Sequence, residues 1–140
     1  MRELVHSTSL PFIIKGITSD EDAHAALETG CKVVSISNHG GRTLDSMRGV
    51  ADVLPRLVRI LKGKVTITAD GGVRTGFDVI KLLGLGANFV MVGREMIRAA
   101  LGGGAEAVRL ELDFLSKDLR KAMIMTSCNS IAEISDHIFA

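Results

Sequence analysis

Four short stretches of this sequence place glycine, polar and charged residues directly after apolar runs: Lys15-Gly16, Ser37-Asn38-His39-Gly40-Gly41-Arg42, Asp70-Gly71-Gly72-Val73-Arg74 and Gly93-Arg94. Gly71 and Gly72 let the backbone approach a ligand closely, and Arg74 adds a cation just ahead of a helix start. Gly93-Arg94 repeats that arrangement one strand later. Together they predict a phosphate site built from glycine N–H groups, helix dipoles and guanidinium forks. The plainer alternative is a tight strand-to-helix turn at Gly71-Gly72 with Arg94 a solvated helix residue. Recurrence of the pair on successive strands favours phosphate.

His39 and Arg42 form a second constellation. An imidazole beside two glycines at a strand end can take a proton near neutral pH, and an arginine three residues on can grip a carboxylate through two parallel bonds. A loop histidine standing alone is more often simply solvated. Lys15 closes an apolar run, so its ammonium must reach solvent or meet an anion, and a salt bridge to Asp70 is the simplest arrangement. His6, His24 and His137 receive no role. The Asp20-Glu21-Asp22 run reads as negative charge at a helix N-terminus.

Such residues need a scaffold that brings strand ends together. Four β-branched apolar runs, near 11–16, 32–37, 65–69 and 89–92, are almost continuously hydrophobic, as strands covered on both faces of a parallel sheet are. Helical patterns separate them. Ser19 with Asp22 resembles a capping box before a run to Leu27 closed by Gly30, a stripe from Ser46 to Leu61 stops at Gly63, and a third helix runs from about Phe77 to Leu83. After Gly93 the pattern turns purely helical from Ala105 onward, with a last amphipathic turn or two from Ser130 to Phe139. Four βα units with right-handed crossovers predict an α/β fold, half of an eight-stranded barrel, whose chemistry sits at the strand C-terminal ends.

Composition narrows the partners. The 140 residues carry 17 Lys+Arg against 16 Asp+Glu, a net charge of +1, with no long basic block. Capture of nucleic acid or an anionic membrane surface is therefore not expected, and a small molecule or another protein is. Cys31 and Cys128 stand far apart without metal-ligand spacing, which predicts two reduced thiols, no metal site and a cytoplasmic location. One domain over residues 1–140 is expected.

The strings PFIIKGI, SISNHGGRTLD and ITADGGVRTGFDVIKLLGLGANFVMVGRE, with the tail LRKAMIMTSCNSIAEI, resemble the C-terminal half of the FMN-dependent α-hydroxy-acid oxidases and dehydrogenases, the family of glycolate oxidase and lactate oxidase. The resemblance implies the C-terminal half of a TIM (β/α)8 barrel. It makes Lys15 a partner of negative charge on the flavin ring, Ser37 a polar contact to the same ring, His39 the active-site base and Arg42 the clamp on the substrate carboxylate. Asp70, Gly71, Gly72, Val73 and Arg74, with Gly93 and Arg94, become the ribityl and phosphate site of FMN.

Departures from the family pattern are Thr43, where glutamine is common, Arg98, where an aromatic is common, and the lack of any tyrosine. The family's first four βα units lie outside the resemblance. The implied activity, oxidation of a small L-2-hydroxy acid to the 2-oxo acid, then requires a partner that supplies the N-terminal half-barrel, and the open sheet edges predict either that pairing or a homo-oligomer. A non-catalytic FMN- or phosphate-binding half-barrel and an inactive remnant are the competing expectations.

Overall fold

A computed structural model of the chain describes residues 1–140. After a short helix α1 (Arg2–His6), strands and helices alternate: β1 (Ile13–Ile17), α2 (Asp20–Glu28), β2 (Val33–Ile36), α3 (Val50–Leu61), β3 (Thr66–Ala69), α4 (Gly76–Gly84) and β4 (Phe89–Val90). The four strands form one parallel sheet in the order β1-β2-β3-β4. This is the expected half-barrel pattern. No helix is long and apolar enough to cross a membrane.

The sheet has two unlike faces. Ile14, Val34 and Ile67 lie in register and sink into the core under the helices, together with Val53, Leu54, Leu57 and Leu61 of α3. Burying each such side chain stabilises the fold by about 1.5–3 kcal/mol. The opposite face carries Lys15, Ser35, Thr68 and Phe89, again in register, and its flanks expose Ile13 (54%) and Phe89 (63%). β1 and β4 each have one neighbour only, which leaves two free edges of unpaired backbone groups.

Several expected boundaries move for local reasons. β1 runs two residues past Lys15, bulging at Gly16 where the register shifts, so the lysine lies inside its strand and not at its end. α3 begins at Val50 and not at Ser46, because Gly49 takes an extended conformation and residues 44–47 close a separate turn. β4 keeps only two paired residues. The helix after Gly93, α5 (Arg94–Met125), is broken at Gly103 and Gly104, just ahead of the expected start at Ala105. The last segment forms two 3-10 turns, Ile131–Glu133 and Asp136–Phe139, in place of a longer amphipathic helix.

Close packing of α5 on α4 anchors the tail. Gly76 opens α4 directly against the backbone of Asp118 and Leu119, where a Cβ has no room, and its N–H donates to Asp118 Oδ2 at 2.8 Å. Farther along, the Cys128 thiol lies 3.6 Å from His137 Nε2, which draws the terminal turns back onto the end of α5. Both cysteines are free and buried.

Candidate active site

The C-terminal ends of the strands surround a cleft of ≈ 350 Å³. Its walls include Lys15 from β1, His39 and Arg42 after β2, Asp70 to Arg74 after β3, and Gly93 and Arg94 after β4. Four separate stretches of sequence thus converge on one concavity, as sites on parallel α/β sheets do.

On the first wall, Lys15 Nζ forms an ion pair with Asp70 Oδ2 and donates to Ser37 Oγ at 2.6 Å. Ser37 donates in turn to Asp70 Oδ1 at 2.5 Å and accepts the N–H of His39 at 3.1 Å. The plain reading of Lys15 and Asp70 as a salt bridge is therefore present, inside the site. Ser37 is 1% exposed and stands behind the wall, not on it.

His39 occupies a turn of three left-handed residues, with φ of 55° at His39, 69° at Gly40 and 72° at Gly41. A histidine in that region is uncommon, and strain of this kind persists where surrounding contacts over-determine it. The imidazole is exposed and accepts no hydrogen bond from the chain. Arg42 follows the turn, also exposed, with no ion pair.

The opposite wall holds the glycines. Gly71 and Gly72 have φ of 107° and 74°, and open space lies where side chains at Gly72 and Gly93 would project. Thr75 and Asp78 close a reciprocal capping box at the start of α4. By contrast, Gly93 provides no side-chain cap for α5, so the first N–H groups of that helix keep their donor capacity beside the cleft. The Arg94 guanidinium reaches across to the β2 turn, 3.4 Å from where a Cβ on Gly40 would stand.

Val73 reaches the cleft only marginally, because its side chain is 7% exposed and belongs to the core. Glu95 went unrecognised in the sequence. Its carboxylate, 18% exposed, lies 3.0 Å from Arg98 and 3.8 Å from Arg74. Only its position next to Gly93-Arg94 could have signalled it. Gly40, Met91, Val92 and Ile97 also contribute to the lining. Among the ionic side chains of the wall, Lys15, Arg42, Arg74 and Arg94 face two carboxylates, Asp70 and Glu95, so the cleft carries an excess of positive charge.

Comparison with known proteins decides the family: the FMN-dependent dehydrogenase model matches residues 1–140. The chain belongs to that family. An L-lactate dehydrogenase of Pseudomonas aeruginosa (strain LESB58) is 42% identical over 125 residues, which cover 89% of this chain and 33% of the relative. The 2-hydroxyacid oxidase 2 of Rattus norvegicus is 42% identical over 128 residues, 91% of this chain and 36% of its own length. A crystal structure of mandelate oxidase with 3,3-difluoro-2-hydroxy-3-phenylpropionic acid superimposes with a TM-score of 0.88 at 38% identity, over 94% of this chain and 40% of that one. The chain thus spans about a third of the length of the curated relatives it matches. This member of the FMN-dependent dehydrogenases has the fold of the C-terminal half of a TIM barrel, four parallel βα units, with its cleft on the face where such barrels carry chemistry.

Proposed function

We propose that residues 1–140 act as one FMN-binding unit of an oxidoreductase that converts a small L-2-hydroxy acid to the 2-oxo acid. The observation that carries the reading is the convergence of Lys15, His39, Arg42, Arg74 and Arg94 on a single cleft. A phosphate binder needs neither the imidazole nor the lysine, so their presence beside the glycines favours an enzyme over a bare phosphate-binding module.

The residues present fit a phosphorylated cofactor. Uncapped N–H groups at the start of α5, open space above Gly72 and Gly93, and cations in excess over carboxylates all suit a phosphate dianion. Arg74, Arg94, Gly71, Gly72 and Gly93 would hold that end, and Lys15 would face the ring. When bound, FMN supplies the two-electron acceptor that no amino-acid side chain provides.

The protein's part is positioning and proton transfer. Arg42, without an internal partner, receives the substrate carboxylate through its two parallel N–H bonds. His39, carried forward by the left-handed turn, takes a proton from the hydroxy acid on an imidazole nitrogen. Lys15 offers positive charge to the ring while Asp70 and Ser37 fix its ammonium. The free edges of β1 and β4 support a further proposal, that the remaining βα units of the barrel pair with them, from the same chain, a second copy or another polypeptide. Two free thiols support a reducing, cytoplasmic setting.

The test is anaerobic bleaching of the flavin on addition of lactate, glycolate or mandelate, with FMN retention followed in parallel and the remaining barrel units supplied. His39→Ala is expected to retain FMN and lose bleaching. Bleaching at the wild-type rate by His39→Ala would overturn the assignment.

A further inference from the structure

His39 is the candidate-site residue with the least favourable backbone, and the side chains just before it hold the turn. His39 N–H donates to Ser37 Oγ at 3.1 Å, and Gly40 N–H donates to Asn38 Oδ1 at 3.0 Å. The amide of Asn38 also reaches outward. Its Nδ2 donates to the carbonyl of Arg48 at 3.3 Å, at the far end of the loop that leads to α3. Its Oδ1 stands 3.3 Å from where a Cβ on Gly71 would lie, so the Gly71 backbone packs directly on it.

One side chain therefore joins three segments: the turn that carries His39, the loop through Arg48, and the glycine turn after β3. A carboxylate could accept from Gly40 N–H but has nothing to donate to Arg48, and a serine hydroxyl could do either but is too short to reach both, whereas the amide accepts on Oδ1 and donates from Nδ2. Small displacements of a reacting group have large kinetic consequences.

We infer that Asn38 is a positioning residue, which holds His39 in its left-handed conformation and fixes its distance from the Gly71-Gly72 turn. The inference rests on the reading of His39 as the base, and its structural part can be tested separately.

The experiment compares the wild-type chain with Asn38→Ala and Asn38→Asp. It reads amide hydrogen exchange at Gly40 and the imidazole nitrogen signals of His39, assigned by their loss in His39→Gln. Removing the acceptor should speed exchange at Gly40 about tenfold or more and shift the His39 signals, with exchange at Ile67 and Leu57 unchanged. Asn38→Asp should keep Gly40 protected, because the acceptor remains. Should Asn38→Ala not fold, Asn38→Leu replaces it, which is similar in size and has no acceptor for Gly40 N–H. Wild-type exchange and His39 signals in the variant without the acceptor would overturn the inference, as would a uniform rise that includes Ile67 and Leu57.

The second readout is flavin reduction, with FMN and the remaining barrel units supplied. Asn38→Ala should lower the rate at saturating hydroxy acid about tenfold and leave the half-saturating concentration within about twofold. An unimpaired Asn38→Ala beside an inactive His39→Ala would overturn this inference alone. An active His39→Ala would overturn the functional reading, and Gly40 exchange would then decide whether Asn38 holds the turn.

Discussion

Lys15 and Asp70 meet across the end of β2, one from inside β1 and the other from the residue after β3, with Ser37 bonded to both. Three strand ends are thereby locked together by side chains, and not only by the backbone ladder. The pair is also the reason Lys15 is tolerated within a strand: its ammonium has both a charge and a hydroxyl to meet.

Removing one partner leaves the other poorly compensated. Asp70→Ala leaves the Lys15 ammonium, 43% exposed, able to turn to solvent, whereas Lys15→Met leaves a carboxylate only 19% exposed with one hydroxyl donor. Lys15→Met is therefore expected to be the more destabilising change, by about 1–2 kcal/mol. Urea denaturation of both variants checks the order, and an equal or reversed ranking would contradict it.

The turn at His39 gives a stability prediction opposite to the usual helix rule. With φ at 55°, a glycine at this position relieves strain that an alanine retains. His39→Gly is expected to be about 1 kcal/mol more stable than His39→Ala. Paired thermal melts measure the difference, and both variants should fail to bleach flavin.

Gly76 is a matter of space. A methyl group there meets the backbone of Asp118 and Leu119, which cannot yield as a flexible side chain would. Gly76→Ala should cost about 3 kcal/mol or more by separating α4 from α5. Chemical denaturation reads the loss directly. Wild-type stability in that variant would mean the two helices slide apart freely.

Asp78 sets a pH dependence. Burial raises its pKa, but the N–H of Arg74 and the hydroxyl and N–H of Thr75 outweigh burial and hold the carboxyl below its ordinary value. A depressed folded-state pKa contributes stability that is present above the unfolded value of about 3.9 and lost as pH falls through the folded one. Asp78→Asn should therefore be less stable than wild type at pH 7, and the gap should narrow steadily below about pH 4. A gap that widens with acid would reverse the sign and remove Asp78 from the cap.

Much of this arrangement was legible because parallel strands report themselves by composition. The runs around Ile14, Val34 and Ile67 mark a sheet covered by helices, and the glycine-rich strings after them mark its C-terminal ends. What stayed hidden depended on partners distant in sequence. Glu95 matters through Arg74, Asn38 through Arg48 and Gly71, and Gly76 through Asp118, contacts that no local pattern encodes. The Thr75–Asp78 box was readable from its spacing, and it starts the helix at Gly76, one residue ahead of the expected start near Phe77. The inward turn of the Val73 and Ser37 side chains was hidden for a different reason, since a motif names its residues without saying which side chains are buried.

Arg42 and Arg94 both line the cleft without an ion pair, yet the functional reading gives them separable tasks. Arg94 stands at the start of α5, where uncapped N–H groups add to its charge, so its truncation should weaken retention of FMN. Arg42 follows the His39 turn and would meet only the substrate. Arg42→Lys keeps the charge but loses the planar fork, so FMN should remain bound while the concentration of hydroxy acid needed for half-maximal bleaching rises about tenfold or more. Fluorescence titration of FMN and anaerobic bleaching, run on Arg42→Lys and Arg94→Ala with the remaining barrel units present, separate the two effects. If Arg42→Lys released FMN and Arg94→Ala spared it, the orientation of cofactor and substrate in the cleft would have to be reversed, and His39 would then stand beside the phosphate, where a base has no proton to take.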